Sequence, residues 1–248
     1  MKDYWNIVNK VIFKSDILLL LLDSRLVEET RNPEIESNIR RSKKPIIYVI
    51  TKCDLVNKEL VEKYKSHLRP SVFISATKHL GTTILRNTIL MEGKKAYKGK
   101  DQFTVGVLGY PNVGKSSLIN AMKGKKSAPT SSLSGFTKSM QKIRADKQIM
   151  FLDTPGVIPY EEKDELKHAL TGTTDFTKVQ DPDMIVMGIM EKFPGKIESF
   201  FKVDVDEDKE KTIEDIALKY NLKAKGNIPD IKRTSIRILR EWQNGRIR

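Results

Sequence analysis

The segment GYPNVGKS at residues 109–116 constrains this chain more than any other, because it dictates what must stand on either side of it. A loop of the form G-x-x-x-x-G-K-[ST] works when a strand delivers it and a helix leaves it, so that backbone N–H groups and the helix N-terminus converge on one anion. Residues 103–108, FTVGVL, have the apolar and β-branched character of a strand, and SLINAMK after the loop reads as a helix. Gly109 and Gly114 permit the tight turn. The backbone of Pro111, Asn112, Val113 and Gly114, with Ser117 in the opening helical turn, would face phosphate oxygens. Lys115 would reach the outer phosphates as the catalytic charge, and Ser116 would offer its hydroxyl to Mg²⁺.

The rest of the first half has the periodicity such a loop needs. Residues 17–22, ILLLLL, are closed by Asp16 and Asp23. A membrane-spanning helix needs about 20 apolar residues, so this run reads as a buried strand. Further strands are expected at 45–50 and 72–74, with helices around 33–42, 58–67 and 82–91 between them. Strand alternating with helix makes this an α/β fold, a mostly parallel sheet with helices on both faces and ligand-bearing turns along one edge. Residues 92–101, EGKKAYKGKD, are polar and lack apolar periodicity, as a linker would. Beyond Pro159 the pattern turns helical, including 211–220, where Thr212 and Asp215 form a capping pair, and 230–242. Residues 1–159 are therefore expected to form one domain and 160–248 a C-terminal helical one.

Four other turns carry chemistry. Thr137 lies 21 positions beyond Ser116 in a loop poor in apolar residues. That place suits a switch threonine that joins Mg²⁺ when a γ phosphate is present. A hairpin of 141–144 with 148–152 leads into DTPG at 153–156, where Asp153 would hold Mg²⁺ through water and the Gly156 N–H would meet the γ phosphate. TKCD at 51–54 selects the base. Asp54 can accept from guanine N1–H and the 2-amino group, whereas adenine offers neither donor there, and Lys52 would lie along the ring beside Thr51. SAT at 75–77 follows the next strand, so the Ala76 N–H could meet guanine O6 between Ser75 and Thr77. FKVD at 201–204 mimics the base motif but follows no strand pattern and is rejected.

The formal charge is +13, and residues 1–159 hold 28 Lys/Arg against 14 Asp/Glu. Residues 160–215 are acidic and 216–248 basic again. This distribution suits a polyanionic partner, with a solvated lysine-rich surface as the alternative. In the segment 230–242 the apolar residues fall on one helical face and Arg233, Arg237 and Arg240 largely on the rest, which makes these three candidate RNA contacts. The one cysteine, Cys53, excludes a disulfide within the chain, and no secretory signal pattern precedes residue 16. A cytoplasmic monomer without membrane contact is the expectation, and the three histidines have no metal spacing.

The motif order is base motif, Ser-Ala motif, phosphate loop, switch threonine, DTPG, whereas Ras-like GTPases begin with the phosphate loop. With DSR at 23–25 and RNPEIE at 31–36, the chain resembles the circularly permuted GTPases of the YlqF/YawG family over residues 3 to about 160. The resemblance implies a circularly permuted Ras-like P-loop GTPase domain, GTP and GDP as ligands, and a role in ribosome assembly with rRNA or a ribosomal subunit as partner. It also implies a K⁺ ion beside Asn112, and hydrolysis that is slow alone and faster on a ribosomal particle. Thr51 stands where asparagine is usual, and Val157 where Ras-like enzymes place a water-orienting glutamine. A GTPase acting on tRNA or another RNA, and a GTP-dependent protein-interaction switch, are the alternatives.

Overall fold

The computed structural model describes residues 2–57, 59, 62–123, 141–154 and 164–247. They form two compact units, Met1–Glu162 and Lys163–Arg248.

In the first unit, helix α1 (Lys2–Lys14) precedes strand β1 (Ile17–Asp23), every residue of which is buried. The short α2 (Val27–Thr30) and α3 (Pro33–Arg41) lead to β2 (Ile46–Thr51), and α4 (Tyr64–His67) leads to β3 (Ser71–Phe73). Then come α5 (Thr82–Ala96), β4 (Phe103–Gly109), α6 (Lys115–Lys123), β5 (Gln141–Arg144) and β6 (Ile149–Asp153). The sheet order is β3-β2-β1-β4-β6-β5, parallel except for β5, which pairs antiparallel with β6.

The run ILLLLL can be continuously apolar because both faces of β1 are covered. Ile17, Leu19 and Leu21 pack with Leu85 and Ile89 of α5 and Leu118 and Ile119 of α6. Leu18, Leu20 and Leu22 pack with Val8 and Val11 of α1 and Ile35 and Ile39 of α3. β1 pairs with β2 on one side and β4 on the other, so chain order reverses beside it. Ligands in open α/β sheets bind at the carboxyl ends of strands flanking such a reversal.

One sequence expectation for this unit needs correction. The polar stretch 92–101 is not all linker, because α5 continues to Ala96. Gly93 is its buried contact: a Cβ there would lie 2.8 Å from Cζ of Phe103, so a residue that looks like a breaker instead lets the helix close on the sheet. Helix α1 is amphipathic, with Val8, Val11 and Ile12 buried on one sheet face and Asn6 and Asn9 turned to solvent.

The second unit is helical: α7 (Glu165–Leu170), α8 (Pro182–Lys192), α9 (Lys196–Phe201), α10 (Lys209–Lys219) and α11 (Ile231–Gln243). The cap of α10 is Asp208, whose carboxylate accepts from the N–H groups of Glu210 and Lys211. Thr212, expected to cap, is instead fully buried, its hydroxyl donating to the Asp208 carbonyl. Trp242 donates its indole N–H to the Leu170 carbonyl at 3.2 Å and stacks at a tilt on Phe193. Phe201, the first residue of FKVD, is a buried helical residue at the end of α9.

Candidate functional site

The carboxyl ends of β4, β2, β1 and β6 bring the phosphate loop, the base motif, DSR and the first residues of DTPG, Asp153 and Thr154, to one edge. In the phosphate loop Gly109 has φ 152°, Asn112 φ 58° and Gly114 φ 99°, so three of its residues need backbone conformations that turn the chain back toward the helix. Pro111 and Val113 are buried, while Asn112, Gly114, Ser116 and Ser117 are half-buried. Lys115 is buried, and its ammonium donates to the Gly109 and Tyr110 carbonyls at 3.0 and 2.6 Å. Burial pushes its pKa down to about 8, with the Asp153 charge opposing the shift. The lysine is thus folded onto its own loop.

The Ser116 hydroxyl donates to Oδ2 of Asp153 at 3.2 Å, across from the end of β6. A hydroxyl and a carboxylate at this separation are the hard oxygen donors that Mg²⁺ takes. Thr154 follows, its buried hydroxyl donating to the Val107 carbonyl. Thr137, Gly156 and Val157 lie outside the described residues.

Thr51, the departure from asparagine, has a physical role in this geometry. Its buried hydroxyl lies 2.6 Å from the Val113 carbonyl and 3.0 Å from that of Leu22, so it bonds the base motif to the phosphate loop. Lys52 follows with φ 56°, and Asp54 sits half-buried in a 3₁₀ turn, Cys53–Leu55. The Cys53 N–H donates to the Ile74 carbonyl, which ties this turn to the Ser-Ala motif. There Ser75 is fully buried, its hydroxyl 3.2 Å from that of Thr77, with Ala76 half-buried between them. Base and phosphate elements are therefore bonded to one another through the ends of their strands.

DSR is the element whose role motif reading does not supply. Asp23 accepts from Nζ of Lys52 at 2.7 Å and from Nη2 of Arg25 at 2.8 Å. Burial pushes the Asp23 carboxyl up, yet the charges of Lys52 and Arg25 with their hydrogen bonds outweigh it and hold the group well below the usual carboxylate range. The Ser24 hydroxyl donates to the Lys52 carbonyl at 2.8 Å. Side chain and backbone of the base-motif lysine are both pinned from β1. RNPEIE, by contrast, is architecture. Asn32 caps α3 by accepting from the Glu34 and Ile35 N–H groups. Buried Glu36 accepts from Arg31, Arg40 and the Tyr48 hydroxyl.

In sequence, this edge is a phosphate loop preceded by a base motif instead of followed by one, on a sheet whose β1 and β4 are neighbours. The fold is that of the circularly permuted GTPases. Residues 104–224 match the family model described as "50S ribosome-binding GTPase", a stretch that starts at the phosphate-loop strand and leaves out the base-motif half, as permutation requires. The chain is 40% identical over 97% of its length to the "Uncharacterized GTP-binding protein MJ1464" of Methanocaldococcus jannaschii, covering 65% of that protein. It is 30% identical to "GTPase grn1" of Schizosaccharomyces pombe and 32% to "Nucleolar GTP-binding protein 2" of Saccharomyces cerevisiae, over 99% of its length in each case. It covers 61% and 52% of those chains, so it spans half to two thirds of the curated relatives' length. The GNP-bound structure of YlqF from T. maritima has the same fold, with a TM-score of 0.67 at 20% identity, covering 99% of this chain and 94% of that one.

The three candidate RNA contacts on α11 have different surroundings. Arg233 is exposed. Arg240 is exposed but shares buried Glu241 with Arg246. Arg237 lays its guanidinium over the Tyr220 ring at 4.4 Å and is half-buried there. Among the described residues no cluster of His, Cys, Asp and Glu could hold a metal by itself, and no helix is long and apolar enough to cross a membrane.

Proposed function

We propose that this chain binds GTP at the strand-end edge of its first unit, hydrolyses it slowly alone and faster on a ribosomal particle, and assists ribosomal subunit assembly. The observation that carries the GTP reading is the hydrogen bond from Thr51 to Val113, which fixes a carboxylate-bearing base motif at one distance from the phosphate loop. The ribosomal reading is supported by the family description and by relatives named as nucleolar GTP-binding proteins.

In this reading Asp54 pairs with the guanine N1–H and 2-amino group, the Ala76 N–H meets O6, and Lys52 covers the ring while Asp23 and Ser24 hold it in place. Lys115 exchanges its two loop carbonyls for phosphate oxygens. Ser116 and Asp153 would hold Mg²⁺, which supplies positive charge to the outer phosphates, and Thr137 and Gly156 would complete the γ-phosphate contacts. Asn112 would contribute to a K⁺ site. An apolar Val157 cannot orient a water, so the slow intrinsic rate follows from the residue type at that position. A cytoplasmic monomer completes the proposal.

The test is nucleotide selectivity. GTP and GDP should bind at least roughly a thousandfold tighter than ATP, since a site built to accept hydrogen bonds from guanine strongly rejects a base that lacks those donors. Asp54→Asn should weaken GTP binding about a hundredfold and favour xanthosine triphosphate, whose 2-oxo group replaces the amino group. Equal affinity for ATP and GTP in the unmodified protein would remove the proposal.

A further inference from the structure

Opposite the nucleotide edge, where the parallel strands of the first unit begin, the fold brings lysines from separate connections to the edge that also carries one exposed aromatic ring. Phe13, at the end of α1, is 82% exposed. Lys44 donates to the carbonyls of Ile12, Phe13 and Ser15 at 2.6–2.9 Å, which draws the turn before β2, with exposed Lys43, against this helix end. The Asp16 carbonyl accepts from the Tyr97 hydroxyl, and its carboxylate accepts from Lys100 and the Thr104 N–H. These bonds bring in the connection before β4, with exposed Lys98. Gln102 donates to the Lys147 carbonyl and so adds the turn before β6. The sequence separates these lysines by as much as 133 positions, from Lys14 to Lys147, and the sheet topology puts them on one rim.

Local carboxylates neutralise the rim only in part, with Asp101, before β4, the one exposed carboxylate among these connections. Asp16 is taken by Lys100, and Asp146 by Arg86 and the N–H groups of Gln148 and Ile149. Lys14, Lys43, Lys98 and Lys147 are exposed and make no ion pair within the described residues. Charge is also partitioned between the units. Residues 1–162 hold 28 Lys/Arg and 16 Asp/Glu, whereas residues 163–248 hold 17 and 16. Nearly all of the net +13 therefore belongs to the nucleotide-binding unit and not to the helical one.

We propose that this strand-start rim is an RNA-binding surface separate from the nucleotide site, on which Lys14, Lys43, Lys98 and Lys147 hold backbone phosphates and Phe13 stacks on an unpaired base. Solvated ammonium groups release counterions when they meet a polyanion, and an exposed ring among them gives a base a flat apolar face. Stacking on a ring requires a base free of its own neighbours, so the ligand is a single-stranded segment, loop or bulge. The inference rests on the ribosomal reading for the source of that RNA and extends it by naming the face that makes contact.

The experiment uses the full chain with two probes, a labelled oligouridylate of about 20 nucleotides and purified ribosomal subunits. Lys14→Glu/Lys43→Glu/Lys98→Glu should lower the magnitude of the slope of log affinity against log salt for the oligonucleotide by about 2, roughly 0.7 for each phosphate that no lysine neutralises any longer. Phe13→Ala should weaken binding roughly five- to 150-fold with little change in that slope. Both variants should keep wild-type GDP affinity, because neither touches the nucleotide edge, and both should reduce cosedimentation with subunits. If wild-type protein binds subunits and the two variants bind them equally well, the rim does not make the contact, and the inference falls while the ribosomal reading stands. If the rim variants lose oligonucleotide affinity but wild-type protein ignores subunits, the RNA surface stands and the ribosomal source is wrong. Loss of RNA binding on Arg233→Glu/Arg240→Glu alone, or binding to phosphatidylserine vesicles in place of RNA, would overturn it.

Discussion

Lys115 is in an unusual state for a lysine that must meet phosphate. Buried among its own loop carbonyls, it titrates near pH 8, so it is mostly charged at pH 7 and mostly neutral at pH 9. A bound polyphosphate stabilises the ammonium form and moves its pKa back up. Binding therefore takes up a proton wherever the free protein has lost one, and affinity must fall as pH rises through 8. Each unit of pH above that value should cost about tenfold in GDP affinity, or about 1.4 kcal/mol. Below pH 7 this group should contribute no slope. Calorimetric titrations of GDP between pH 7 and 9 would measure it, with Lys115→Met as the control that binds weakly and without the slope. An affinity constant across this range would mean the free lysine is not held neutral by its burial.

At the scale of elements, legibility in the sequence follows how local the deciding force is. Five strands are read from apolar runs bounded by turn residues and the polar β5 from its place in a hairpin, and the motifs then fall along one edge, because strand burial and phosphate-loop chemistry are written within a few residues. Thr51 and Asp23 show the limit. Their partners, Val113 and Lys52, lie 62 and 29 positions away, and only the pairing of β1 with both β2 and β4 brings them within bonding distance. Helix α1 carries a plain helical period, with Val8, Val11 and Ile12 buried on one face and Asn6 and Asn9 exposed on the other, whereas Asp208 is obscured as a cap because it follows an acidic run. Gly93 misleads in the opposite direction. Taken alone, Gly93→Ala in a helix should stabilise by about 1 kcal/mol. Here the added methyl meets three ring carbons of buried Phe103 within 3 Å, so overpacking should win and the variant should lose about 1–3 kcal/mol in urea unfolding. A gain in stability would show that the Phe103 ring yields and that α5 is held less tightly against the sheet.

For the whole molecule, the distribution of the nucleotide-facing residues predicts how ligand binding divides between the units. Every candidate nucleotide contact among the described residues belongs to Met1–Glu162, at the ends of β1, β2, β4 and β6 and in the Ser-Ala turn. A ligand stabilises only what must be folded to bind it, by about 2.7 kcal/mol at a free concentration of 100 Kd. For a unit of this size that corresponds to roughly 5–10 °C in melting temperature. The chain carries its own reporters, because its two tryptophans are divided between the units: Trp5 on α1 and Trp242 on α11. Trp242→Phe leaves fluorescence from the first unit alone, and Trp5→Phe leaves it from the second. With GDP and Mg²⁺ the Trp5 signal should melt several degrees higher, while the Trp242 signal should move by less than about 2 °C if the second unit unfolds on its own. Equal shifts in both signals would mean that the units unfold as one cooperative body, so that nucleotide binding at the strand ends also stabilises the helices of the second unit. A Trp242 shift without a Trp5 shift would contradict the assignment of the nucleotide site itself.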